Sequence, residues 1–195
     1  LLRRARLYLG QLQRDDSALD DYNSVLGIDA ANVEALYAIN DIWRRRENEQ
    51  ELAYALQATI DQAGEQLPAD HKVALYRELA TIHQQDPAQA YEAVEAWRQL
   101  LETDPRDFDA MAQLETLLRN EDRWEDVVGV KMMRAAAFEE TEERLREYME
   151  VAHIWEHQVG NENGATPALE AVLSVAPEHD DAFEQLAKLH KNATR

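Results

Sequence analysis

Residues His153, Ile154, Trp155, Glu156 and His157 spell H-x-x-E-H, the one string in this chain with the makings of a catalytic centre. Two histidines four apart share one face of a helix, so both could reach one zinc ion while the glutamate between them serves as base. A catalytic zinc also needs a third protein ligand and an open coordination position. The other histidines, His71, His83, His179 and His190, do not fall at ligand spacing. The chain has no cysteine, no G-x-S-x-G, no phosphate-cradling glycine loop and no calcium-loop string, so the matching chemistries lack their minimal parts. The expectation is therefore no catalytic residue, no cofactor and no metal, with a zinc peptidase kept only as an alternative because the motif is present.

The composition bounds the partners. Of 195 residues, 45% are hydrophobic and 30% charged, an ordinary balance for a globular chain. A formal charge of −19 repels phosphate backbones and anionic lipid, so nucleic acid is excluded as a partner. No stretch reaches the ~18 apolar residues of a membrane span, so no membrane insertion is expected. The chain opens Leu-Leu-Arg-Arg within an apparent helix, with neither Met nor a signal-like segment. A longer parent protein is expected, and the cytoplasm is the favoured compartment on that basis.

The elements that would position any site repeat along the chain. Tyr22 to Trp43, Trp97 to Leu118 and Leu169 to His190 follow one pattern: an aromatic or Leu, a pair (Val25-Leu26, Leu100-Leu101, Val172-Leu173), a turn, and a second helix opening on Ala35, Ala110 or Ala182. The copies are spaced by 75 and 72 residues. Between them Tyr76-x-Glu78-x-Ala80-x-Ile82 recurs as Tyr148-x-Glu150-x-Ala152-x-Ile154, so each long period is two helical hairpins. Caps, turns and period predict helices at about 1–13, 16–27, 32–46, 48–63, 69–84, 87–102, 107–119, 122–138, 141–158, 167–175 and 179–192, and no strand. Asp86-Pro87 and Thr166-Pro167 read as helix caps followed by proline. The Val159 to Gly164 stretch, with two Gly and two Asn, reads as the most flexible internal link.

This pattern resembles the tetratricopeptide repeat family, whose units are 34-residue helix-turn-helix hairpins. Ala18, Tyr22, Val25 and Ala30 match its second-helix and turn positions in the first unit, as Ala93, Trp97, Leu100 and Pro105 do in the third. Ala80, Ala152 and Ala187 take the small position of the first helix, and Trp43 and Trp155 its bulky position. The chain departs from the pattern at Asn40 and Glu115, which stand where the family has a small residue, and at Leu52 and Val127, which replace Ala. The resemblance implies an all-α, right-handed solenoid of about five to six antiparallel hairpins and about eleven helices, a single array over residues 1–195. It also makes Trp43, Trp97 and Trp155 interhelical packing residues, with Trp124 partly exposed. Excess length over two plain units predicts longer helices around residues 60–80 and 134–152, with tips near Leu67 to His71 and Glu139 to Glu142 standing out as a ridge.

In this family the inner face of the first helices forms a binding groove. Its positions here are Glu34, Tyr37, Asp41, Arg77, Glu78, Thr81, Gln113, Thr116, Glu150, His153, Glu184 and Lys188, a mixed surface with an acidic bias. The Lys and Asn clamp by which some members hold a C-terminal carboxylate is replaced by Tyr37, Ala38 and Asp41. The resemblance thus implies a noncatalytic protein-interaction module whose groove takes a protein or peptide segment, neutral to basic in charge. The alternative is a structural spacer in a longer array, with self-association through end helices, because Leu1, Leu2, Leu7, Leu9 and Leu12 leave the first helix without a polar cap.

Overall fold

The computed structural model describes residues 1–193. The chain divides into two compact units, residues 1–103 and the part that begins at Asp104. Unit 1 comprises α1 (Leu2–Gly10), α2 (Asp15–Leu26), α3 (Val33–Arg45), α4 (Glu49–Ala63), α5 (Ala69–His83) and α6 (Ala90–Thr103). Unit 2 comprises α7 (Phe108–Asn120), α8 (Trp124–Ala137), α9 (Thr141–Ile154), α10 (Thr166–Val175) and α11 (Asp180–Ala193). No strand occurs among the described residues. Within each unit every helix packs on the next in sequence, as short connections between antiparallel helices require.

Asn and Asp side chains start the helices that open or close a hairpin. Asn32 Oδ1 accepts from Ala35 N (3.1 Å), Asn48 Oδ1 from Glu51 N (3.2 Å) and Asp107 Oδ1 from Ala110 N (2.9 Å), each satisfying an amide the first turn leaves orphaned. The hairpins turn through left-handed backbone at Gln13, Glu47 and Asp122 (φ 49°, 52° and 54°). After α3, Glu47 N donates to Arg44 O and Asn48 N to Trp43 O; after α7, Asp122 N donates to Arg119 O and Arg123 N to Leu118 O. Both ends are Schellman motifs, built here without the usual glycine.

The repeat positions form the core. Tyr22 and Trp97 in unit 1 and Leu169 in unit 2 are buried, as are Ala18, Ala35, Ala80, Ala93, Ala110, Ala152, Ala168 and Ala182. Small residues there let helix backbones approach while the large ones fill the space between them. The two departures from the small position are met in the same way. Buried Asn40 donates to Thr59 Oγ1 at 3.0 Å, and Glu115, 75 residues later, accepts from Arg134; each pair is 19 residues apart. A polar residue on the first helix has thus been matched by a polar partner at one register position of the second.

Several expectations are corrected. Trp97 is buried and its Nε1 donates to Gln84 Oε1 (3.2 Å), but Trp43 and Trp155 are only half-buried. Arg46 lies over the Trp43 ring (5.2 Å). α9 ends at Ile154, and Trp155–Val159 forms one wider π turn. There Gly160 adopts φ 72° and Asn161 N donates to Trp155 O. A Cβ on Gly164 would clash with the Trp155 ring, so at this position the link packs against the end of the helix. α10 begins at Thr166 itself, with Ala165 before it, so Thr166 gives no side-chain cap. Asp86 does cap, accepting from Ala88 N at 2.9 Å. Leu67, placed at an outstanding tip, is buried.

Candidate functional site

In unit 1 the predicted residues gather on the exposed sides of α3 and α5, where successive first helices are cross-linked. Arg6 on α1 forms a two-bond ion pair with Glu34. Its hydrogen bond holds the Glu34 carboxyl below the usual range, against the opposing effect of burial. Tyr37 Oη lies 3.1 Å from His71 Nδ1, with the two rings edge to face. Burial, then the Asp70 carboxylate, push the Tyr37 phenol above its ordinary value, so it stays a neutral hydrogen-bonding group.

Arg44 is the hub of this face. Its Nε and one Nη donate to the two oxygens of Glu78 at 2.7 Å, while the other Nη reaches Asp41. Paired chiefly with Glu78, Arg44 is held more firmly protonated than usual. Arg77, one residue before Glu78, places its guanidinium 5.9 Å from the Trp97 ring centre.

Beside Arg44 and Glu78 opens a cavity of about 670 Å³, lined also by Leu52, Asp70, Val73, Ala74, Arg77, Thr81 and Ile82. Its walls combine a small apolar floor with charges of both signs. Of the predicted residues, Arg77, Glu78 and Thr81 line it; Glu34, Tyr37 and Asp41 do not. The Thr81 hydroxyl donates to Arg77 O at 2.7 Å. Asp70, Val73 and Ala74 are absent from the predicted set. Val73 and Ala74 lie four residues before Arg77 and Glu78, so extending the helical period one turn back finds them.

In unit 2 the corresponding repeat positions are tied to the interior. Arg119 donates to Glu115 (2.8 Å) and to Glu150 (3.0 Å), and Arg119 with Glu150 repeats the register of Arg44 with Glu78. Lys131, almost fully buried, stands 2.8 Å from Glu150, 3.1 Å from Glu147 and 3.4 Å from Glu115. Burial pushes the Glu115 carboxyl up, but hydrogen bonds from Arg134 and Arg119 and the nearby Lys131 outweigh it, and the carboxyl is held below its usual value. Glu150, a predicted partner contact, is thereby also part of the fold. Gln113 and Thr116 lie exposed on α7, and Glu184 and Lys188 exposed on α11. Thr116 Oγ1 donates to Ala112 O (2.8 Å).

The H-x-x-E-H residues sit where α9 widens. His153 and His157 stack with ring centres 4.1 Å apart, and His157 Nδ1 donates to His153 O at 3.0 Å. Glu156 lies 3.9 Å from both His157 Nδ1 and Lys188 Nζ. Among the described residues no three His, Asp or Glu side chains converge as a metal site would need, nor is any helix long and apolar enough to cross a membrane.

No protein-family model and no curated protein sequence matches the chain. Solved structures do. The chain is similar to YrrB, described as a TPR protein with an unusual peptide-binding site, at 17% identity and a TM-score of 0.47 over 92% of this chain and 87% of that one. It is similar to MamA at 15% identity and a TM-score of 0.45, with 85% of each chain covered. It is also similar to TTC0263, a thermophilic TPR protein of Thermus thermophilus, at 15% identity and a TM-score of 0.36 over 95% of each chain. These are distant likenesses. The description of the hairpins as tetratricopeptide-like rests on this chain's own period, caps, left-handed turns and buried repeat positions.

Proposed function

We propose that the chain is a noncatalytic protein-interaction module that holds a segment of another protein on the α3–α5 face of unit 1. The observation that carries this reading is the cavity beside Arg44 and Glu78, with Val73, Ala74 and Ile82 as apolar floor and Asp70, Arg77 and Thr81 on its rim. Shape and apolar area there would supply affinity, and the rim would fix the orientation of the segment. The pairing of Glu34, Asp41 and Glu78 with Arg6 and Arg44 offsets the acidic bias of the sequence, which favours a neutral or mildly basic segment over a strongly cationic one. Thr81→Lys should fill the rim and lower the affinity of a captured partner by about tenfold, equivalent to about 1.4 kcal/mol. Unchanged binding by titration calorimetry would reject this face. The remaining predicted positions, Gln113, Thr116, Glu150, His153, Glu184 and Lys188, are proposed as secondary contacts of unit 2.

A second reading, self-association in a structural array, is favoured by exposed apolar side chains on α1, in the turn after it and on α11. Leu7 and Leu12 at the start of the chain and Phe183 on α11 stand in solvent, where another helix could cover them. Sedimentation equilibrium of the parent chain and of Leu7→Glu/Phe183→Glu tests it: the parent should associate with concentration and the variant should not.

A further inference from the structure

Unit 1 has a second cavity, of about 770 Å³, and its charge differs from that of the α3–α5 face. One wall is the side of α4 that carries Glu49, Ala53 and Tyr54; the other runs from Ile82 in the last turn of α5, through Asp86 in the connection, to Glu92 at the start of α6. A spacing of four residues places Ala53 on the same side of α4 as Glu49, and Tyr54 lines the cavity from the next position round the helix. Two hydrogen bonds across elements fix the floor: Gln85 Nε2 donates to Glu49 Oε1 at 3.2 Å, and His83 Nδ1 donates to Gln89 Oε1.

On the α3–α5 face Glu34, Asp41 and Glu78 each have an Arg partner. In this second cavity no Lys or Arg is among the lining residues. Among the described residues Glu49, Asp86 and Glu92 form no ion pair. Glu49 and Asp86 accept only from the neutral donors Gln85, Gln89 and Ala88 N. Beside them the Tyr54 ring is 66% exposed, a large aromatic that its own fold leaves uncovered. Carboxylates without counter-charges next to an exposed aromatic are complementary to a cation that gains both an ion pair and a ring face, and Ile82 and Ala53 offer apolar area between them.

We propose that this cavity, which adjoins the α3–α5 cavity and shares Glu49, Ile82 and Gln85 with it, docks a short Lys- or Arg-bearing segment of a partner protein, which sets its cations among Glu49, Asp86 and Glu92 and against Tyr54. Each cation of the segment pairs with one of these carboxylates, and an apolar side chain between cations covers Ile82. Selectivity then differs between the two surfaces: the α3–α5 face takes a neutral or mildly basic segment, and this one requires positive charge.

A fluorescein-labelled peptide of alternating Lys-Leu pairs is a direct probe, read by fluorescence anisotropy on the whole chain. Because the protein is strongly acidic, any cationic peptide will feel its long-range field, so the comparison must hold charge constant. Tyr54→Ala/Glu92→Gln should weaken the probe about tenfold, whereas Glu125→Gln, which removes the same single charge from an exposed site in unit 2, should leave it within twofold. Glu92→Lys alone should abolish measurable binding. Tyr54 and Glu92 are exposed, so melts of these variants should match the parent. Equal loss in Glu125→Gln and Tyr54→Ala/Glu92→Gln, or no binding by the parent at low salt, overturns the proposal. Loss in Thr81→Lys without loss at Tyr54 and Glu92 overturns it too, and assigns the cation site to the α3–α5 face.

Discussion

Among single residues, the two departures from the repeat carry the clearest energetics. Asn40 and Thr59 are both buried and bonded to each other, and Thr59 also donates to Ala55 O at 2.8 Å. Thr59→Val should cost about 1–3 kcal/mol, because it leaves a buried amide unsatisfied, while Asn40→Ala/Thr59→Val should cost less than the sum of the single changes in chemical denaturation. Glu115 makes a prediction in pH. Its carboxyl, ordinarily near 4.5, is held lower in the folded chain, so the unfolded chain binds the proton more readily. The stabilising contribution is therefore present above pH 4.5 and is lost as pH falls through the folded value. Glu115→Gln should flatten the acid side of the stability profile, read as the slope of unfolding free energy against pH; an unchanged slope would show that other carboxylates dominate.

Among the helices and their connections, the hairpin turns and the widened end of α9 set the register. Glu47 and Asp122 hold left-handed backbone that a side chain disfavours and glycine does not. Glu47→Gly and Asp122→Gly should each stabilise the protein by up to about 1 kcal/mol, measured as a rise in the midpoint of thermal unfolding. Gly164 works in the opposite sense. With Trp155 directly against its Cα, Gly164→Ala should cost about 1–3 kcal/mol by overpacking, and near-ultraviolet circular dichroism should report a displaced Trp ring. Relief of the loss by Trp155→Leu in the same chain would tie the effect to this contact.

Across the chain as a whole, charge is the dominant quantity. A formal charge of −19 produces self-repulsion that the surface ion pairs offset only in part, since exposed pairs contribute about 0–1 kcal/mol each. Added sodium chloride should therefore raise the thermal midpoint at neutral pH, an effect that fades once repulsion is screened. The helical class, the hairpin period, the repeat positions Tyr22, Trp97 and Leu169 and the cap at Asp86 were legible in the amino-acid sequence, because each depends on local spacing or on a pattern repeated along the chain. Asn40 and Glu115 stood out there as departures for the same reason. Packing in three dimensions settled which charges meet: Arg44 and its partner Glu78 are 34 residues apart in sequence, and Lys131 draws Glu115, Glu147 and Glu150 together. It also settled that Trp155 packs on Gly164 and that the cavities open between α3, α4, α5 and α6. Those outcomes turn on distances between side chains of different helices, a few ångströms of packing that helical period does not encode.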